Sequence, residues 1–203
     1  FAAIGTVSDI MPLIGENREI VKRGLAAVPE CDNAGLLSLC EEAGLDVNAL
    51  AATNIAFALA PRINAAGRMG NAALALRLLI TDNVDEARTV AKELCELNKT
   101  RQQTEQEITK LIENKIDENP SVLNEPIIIV SGENFHSGVI GIVCSRLVEK
   151  YSKPAIVISV ENGEAKGSGR SVKGFSLYKA ICSCKDMLGK FGGHDMAAGF
   201  MLN

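Results

Sequence analysis

Lys166-Gly167-Ser168-Gly169-Arg170-Ser171 is the stretch whose chemistry reads most directly. Its glycines expose backbone N–H groups, its serines offer hydroxyls, and Arg170 supplies a planar fork for two oxygens of one phosphate. A bland glycine-rich β-turn would read the same way, so the neighbours matter. Both histidines of the chain stand beside glycine or serine in polar turns, Phe135-His136-Ser137-Gly138 and Gly192-Gly193-His194-Asp195. An imidazole held where glycines let the backbone approach a ligand can donate to phosphate oxygens or move a proton. Residues 166 to 199 are therefore expected to frame a phosphate site around Arg170 and His194. Ser168, Ser171 and His136 are its further candidates.

Two other stretches bear on chemistry. Ala60 to Met69 puts Arg62, Asn64 and Arg68 among small residues, in what reads as an irregular segment. Arginines so placed permit close approach of a nucleic-acid backbone, although a helix-capping turn with surface salt bridges is the plainer alternative. Gly5-Thr6-Val7-Ser8-Asp9 ends in a carboxylate followed by Ile10, Met11 and Pro12. A partly buried aspartate needs a partner, and a divalent cation is one; a helix-terminus aspartate is the commoner explanation. One carboxylate makes no two-metal site. The six cysteines form no CxxC pair, which points to reduced, mostly buried thiols. Cys182 and Cys184, at alternate positions on an expected helix, point to different sides and are poor joint ligands.

The elements that must position these residues follow from periodicity. Residues 16 to 28, 33 to 43 and 71 to 80 repeat apolar side chains three or four apart, so the N-terminal third is mainly helical. From Val84 the same spacing runs through Ile116, predicting one helix of roughly thirty residues before Asn119-Pro120 ends it. Its apolar stripe fades over Lys99 to Gln106, which predicts an exposed middle spanning two lobes. Beyond Pro126 come the strand IIIVSG, an amphipathic helix over GVIGIVCSRLVEKY and the strand AIVISV, which make a βαβ unit. A turn into a short strand over 163 to 172, a helix over 176 to 188 and a last strand over 197 to 202 complete a small α/β sandwich. The formal net charge of -4 gives no bulk attraction to nucleic acid, so any polyanion site must be built locally. No run of apolar residues reaches membrane-spanning length, and the first residues lack the basic start of a signal peptide, so a cytoplasmic protein without a membrane role is expected. Phe1 is no natural start, and a fragment is expected.

Taken in order, GTVSDIMPLIGENR, APRINAAGRM, FHSGVIGIVCSRLVEKY, GSGRS and GGHDMAAGF resemble the RecJ family of single-strand-specific 5′ to 3′ DNA exonucleases, in the DHH phosphoesterase superfamily. The resemblance runs from Ile4 to Phe200. It implies an α/β fold: the helical C-terminal part of a DHH domain (1–82), a long connecting helix (83–122) and a DHH-associated nucleic-acid-binding domain with a mixed sheet (123–203). It implies that Asp9 resembles the last aspartate of the metal site, in GT-x-x-D. Ser168 and Arg170 resemble residues that grip a phosphate of the bound strand, and His194 resembles the GGH histidine facing the scissile phosphate. Arg62, Asn64, Arg68 and His136 match positions near the substrate path. The implied cofactors are two Mn²⁺ or Mg²⁺ ions in the complete enzyme, not held as a pair by this stretch. The implied partners are single-stranded DNA and other proteins of repair and recombination. The DHH triplet, the earlier aspartates and the oligonucleotide-binding fold of the family have no counterpart in this sequence. A phosphoesterase acting on short RNA or cyclic dinucleotides, and a nuclease-free module like the related domain of alanyl-tRNA synthetases, are the rival expectations.

Overall fold

The computed structural model describes residues 1–202. They form two compact units, Phe1–Arg101 and a second starting at Gln102. The first is helical: α1 (Ala2–Ser8), α2 (Gly15–Ala26), α3 (Ala34–Glu42), α4 (Ala52–Asn54), α5 (Ala60–Arg68) and α6 (Ala72–Ile80), followed by α7 (Val84–Glu118), within which the division falls. Its core gathers Val21, Leu36, Leu39, Leu59, Leu78, Val90 and Leu94. Asn33 caps α3 by accepting from the Leu36 amide at 2.8 Å, as its side-chain oxygen is suited to do. Two positions later Gly35 lies so close to α6 that a Cβ there would stand 1.8 Å from the Leu78 carbonyl oxygen.

The segment Ala60 to Met69 is not irregular. It is helical through Arg68, the continuation of α4 by way of a π-turn over Ile55–Leu59. Pro61 lies inside this helix although proline donates no amide hydrogen and crowds the carbonyl four residues back. The wide turn comes just before it: the Ala60 amide bonds to the Ile55 carbonyl, and Arg62 Nη1 donates to the Ala58 carbonyl at 2.8 Å. The backbone groups that proline disturbs are thus served by a register change and a side chain.

Asn83 starts α7, its side-chain oxygen accepting from the amides of Asp85 and Glu86 at 3.0 and 3.1 Å. The Glu86 carboxylate accepts from the Thr81 hydroxyl and from Arg77, and these two partners hold its carboxyl below the ordinary range. A carboxyl depressed in the folded state stabilises the fold above its unfolded value, about 4.3, and loses that contribution as pH falls through the depressed value. Glu86→Gln is accordingly expected to lower the melting temperature at neutral pH, with the gap to the parent closing in acid; thermal denaturation followed by circular dichroism across pH measures it. The middle of α7 also departs from the expected exposed span. Arg101 is 9% and Glu105 7% exposed. The apolar stripe is continued there by polar side chains at helical spacing, each with a partner: Arg101 Nη2 donates to Asn98 Oδ1 at 2.7 Å, and Arg146 Nε to Glu105 Oε1 at 3.1 Å.

Among its described residues the second unit joins the C-terminal part of α7 to a five-stranded mixed sheet and two further α-helices. β1 (Ile128–Glu133) and β2 (Ala155–Glu161) are parallel, joined by α8 (Ile140–Tyr151). β3 (Glu164–Arg170), β4 (Lys190–His194) and β5 (Ala197–Leu202) add antiparallel pairings, and α9 (Leu177–Cys182) lies between β3 and β4 in the chain. The order across the sheet is β1-β2-β3-β5-β4. Asn162 and Gly163, with φ of 52° and 83°, make the tight turn between β2 and β3. β1 is an edge strand, so Ile129 is 53% exposed despite the apolar run. The helix expected over 176–188 stops at Cys182 and gives way to a 3₁₀ turn at Lys185–Met187. Ile156, Leu177, Ile181 and Ala198 form a small core on one face of the sheet, joined by Phe175 and Phe200. Among the described residues no helix is long and apolar enough to cross a membrane.

Candidate nucleic-acid interface

Strand alternation divides the glycine-rich motif between two faces. Ala165, Gly167 and Gly169 point to the apolar side. A Cβ on Gly167 would meet Phe200 Cζ at 2.2 Å, and one on Gly169 would meet Leu177 Cδ2 at 2.7 Å. These two glycines make room for packing, a different task from the phosphate cradle expected of them. Lys166, Ser168 and Arg170 project from the other face. Arg170 pairs with Ala197 on β5, and Ala197 pairs with His194 on β4. Arg170 and His194 therefore stand side by side on the polar face, two strand spacings or roughly 9 to 10 Å apart.

The next rows along the strands are Ser168, Gly199 and Gly192, then Lys166, Met201 and Lys190. Above the middle row the face is bare. A Cβ built on Gly192 meets nothing within 4 Å, and one on Gly199 meets only the Gly167 carbonyl oxygen at 3.6 Å. The result is a shallow slot with a glycine floor, edged by Lys166, Ser168 and Arg170 on one side and by Lys190 and His194 on the other. His194 thus closes β4, a strand end beside glycines.

The remaining wall is the start of α8. A Cβ on Gly141, in its first turn, would lie 3.0 Å from Ser168 Oγ and 3.2 Å from Arg170 Nη2. Bare backbone here lets the positive end of the helix approach the guanidinium and the hydroxyl, so helix dipole and cation converge on one place. The Arg170 guanidinium makes no ion pair among the described residues, and its Nη1 donates to the Gly169 carbonyl at 2.9 Å. Most of its five N–H donors remain for a ligand. Behind it, the Cys144 thiol donates to the Ser168 carbonyl at 2.8 Å, and burial pushes that thiol up to about 12. Cys144 is an inert brace for β3.

The two histidines share one local geometry. His136 Nδ1 accepts from the Gly138 amide and His194 Nδ1 from the Met196 amide, each at 3.2 Å and two residues on. In that arrangement the hydrogen of a neutral ring sits on Nε2. Each ring offers an N–H donor outward. Ser176 supports the His194 turn by donating to the Asp195 carboxylate.

Ser171 does not join the slot. It is 5% exposed and its hydroxyl donates to the Phe175 carbonyl at 2.7 Å, tying the loop between β3 and α9. In the first unit, Asp9, Asn64 and Arg68 come together around an open hollow with Gly5, Ser8 and Gly67. Asp9 ends α1, and Asn64 and Arg68 lie one turn apart on α5. Arg62 faces elsewhere, its Nε donating to Cys95 Sγ at 3.3 Å. Gly141 and Lys190 were missed in the sequence. A glycine on the buried side of an amphipathic helix is the signal that could have found Gly141, since it costs about 1 kcal/mol against alanine and so has a packing reason.

The small mixed sheet carries a glycine-floored cationic slot, and residues 122–203, which contain it, match the DHHA1 domain family. The chain as a whole is similar to RecJ. It is 39% identical to the single-stranded-DNA-specific exonuclease RecJ of Bacillus subtilis over 99% of this chain and 26% of that protein. With RecJ of Escherichia coli it shares 38% identity over 98% of this chain and 36% of the relative. The crystal structure of RecJ in complex with Mn²⁺ from Thermus thermophilus superposes with a TM-score of 0.87 at 40% identity, covering 99% of this chain and 29% of that one. The corresponding Mg²⁺ complex gives 0.84 at 39% identity, over 99% of this chain and 31% of that one. The chain spans about a quarter to a third of the length of these relatives.

The oxygens present decide how a divalent ion would fit here. Asp9 is exposed at the rim of its hollow, while the Ser8 hydroxyl is engaged with the Ile4 carbonyl at 2.6 Å. Among the described residues no three His, Cys, Asp or Glu side chains come together. Asp9 fits as one ligand of such an ion.

Proposed function

We propose that this chain is the strand-holding segment of a RecJ-type exonuclease, which releases 5′-mononucleotides from single-stranded DNA during repair and recombination. The observation that carries this reading is the open polar face of the sheet, where Lys166, Ser168, Arg170, Lys190 and His194 surround bare glycine. Two residues of a β-strand advance about 6.6 Å, comparable with the step between phosphates of a stretched single strand. Arg170 clamps one phosphate with paired N–H donors, Ser168 adds its hydroxyl, and His194 donates from Nε2. These groups offset charge that grows on phosphate oxygens during displacement. Asp9 would hold one of two Mn²⁺ or Mg²⁺ ions of the complete site, which when bound supply an activated water.

Titration of a 5′-phosphorylated oligo(dT) by fluorescence anisotropy tests the reading. Binding is expected to weaken with salt, with a log–log slope of about -2 for the three cations Lys166, Arg170 and Lys190. Duplex DNA is expected to compete poorly, and Mn²⁺ to release no nucleotides with this chain alone. Salt-independent binding would remove the phosphate row from the account. Rapid Mn²⁺-dependent digestion would contradict the single-ligand role of Asp9.

A further inference from the structure

Beyond the slot, the same polar face ends in a cavity of about 330 Å³ lined by Ser137, Ser159, Glu161, Asn162, Glu164 and Lys166. It lies beside the tight turn between β2 and β3, with Ser159 and Lys166 directly paired in the register. Ser159 is only 4% exposed and lines the cavity, and its hydroxyl has no hydrogen-bond partner among the described residues. No sealed side-chain oxygen or nitrogen among the described residues lacks a partner, so this hydroxyl is open to whatever fills the cavity and is free to bond to it. Glu161 and Glu164 oppose each other across the strands. Neither forms an ion pair with Lys166 among the described residues, although all three line one cavity.

The mixture of groups narrows the ligand. Two carboxylates disfavour a phosphate, and an ammonium disfavours a divalent cation. A neutral group with adjacent N–H donors and a nearby carbonyl acceptor satisfies both: donors to a glutamate, acceptor to Lys166 or a serine hydroxyl. Among nucleobases the Watson–Crick edge of guanine has that pattern, two neighbouring donors beside one acceptor oxygen. Lys166 lies four residues, about 13 Å, along β3 from Arg170, so the cavity is some two nucleotides from the phosphate held there.

We infer that this cavity is a nucleobase pocket that favours guanine about two nucleotides from the Arg170-bound phosphate. The inference rests on the proposed strand path for its position in the DNA, but not for the pocket's chemistry. Two measurements separate these. First, deoxyguanosine, which has no phosphate, is titrated into the isotope-labelled chain; amide shifts are expected at Ser159, Glu161 and Glu164, and not with deoxythymidine. Second, oligo(dT) strands with one dG placed at successive positions are compared by anisotropy. One position is expected to bind about fivefold or more tightly, as a well-made base contact allows, and Glu161→Gln with Glu164→Gln to bring the ratio to one. Equal affinity at every position, or no response to deoxyguanosine, would overturn the pocket. Shifts at these residues with Mg²⁺ alone or inorganic phosphate alone would overturn it in favour of an ion site. Loss of oligo(dT) binding altogether, with the deoxyguanosine shifts retained, would instead strike the strand path and leave the pocket standing.

Discussion

Arg170→Ala is expected to weaken binding of single-stranded oligo(dT) by roughly 10- to 100-fold, the range for losing charge-assisted hydrogen bonds worth about 1.5 to 3 kcal/mol. The guanidinium stands on the open face with one internal hydrogen bond, to the Gly169 carbonyl. Its removal strands no buried charge, so thermal stability should change little. The salt slope should also become shallower by about 0.7, one phosphate contact fewer. Arg170→Lys separates charge from shape: it restores the slope but not the full affinity, because an ammonium cannot make the forked contact. Anisotropy at several salt concentrations, with melting curves of each variant, reads both effects. Unchanged affinity in Arg170→Ala would place the strand elsewhere.

The second large effect is one of stability. Gly35→Ala is expected to destabilise the helical unit by about 3 kcal/mol or more, at the upper end of overpacking. The added methyl would fall 1.8 Å from the Leu78 carbonyl oxygen and 2.7 Å from its carbonyl carbon. Backbone atoms of a packed helix cannot swing aside as a side chain can, so α3 and α6 must separate. Leu36, Leu39 and Leu78 would then lose mutual burial in one core. Urea unfolding followed by helical circular dichroism measures the change. Gly44→Ala is the contrasting control, since no atom lies within 4 Å of its Cβ and the strain there comes only from its φ of 66°.

Much of this was readable in the residues, for reasons that differ from place to place. The long helix declared itself because near-helical spacing runs from Val84 to Ile116, its apolar stripe weakening only over Lys99 to Gln106. The polar face was readable too: in Lys166-Gly167-Ser168-Gly169-Arg170 every polar residue alternates with glycine, the period of a strand. What periodicity could not supply was the task of each glycine, which depends on Phe200 and Leu177 arriving from far along the chain. β4 was hidden because Gly192 and Gly193 have low strand preference, and pairing with β5 overrides it. The helix around Pro61 was hidden because a π-turn has no sequence signature of its own. The buried run Asn98, Arg101 and Glu105 has helical spacing but polar residues, so apolar counting passed over it. Asp9 was noticed apart from Asn64 and Arg68; only folding of the helical unit brings the three to one hollow.

The bare floor at Gly192 means that usefulness and durability are written in different residues here. A methyl group there meets empty space, so the folded chain would scarcely register it. Yet the same methyl would occupy the room that the proposed strand path needs. If the proposed strand path holds, variants at this position keep their heat resistance while losing the strand, and only a measurement made with DNA present reveals them.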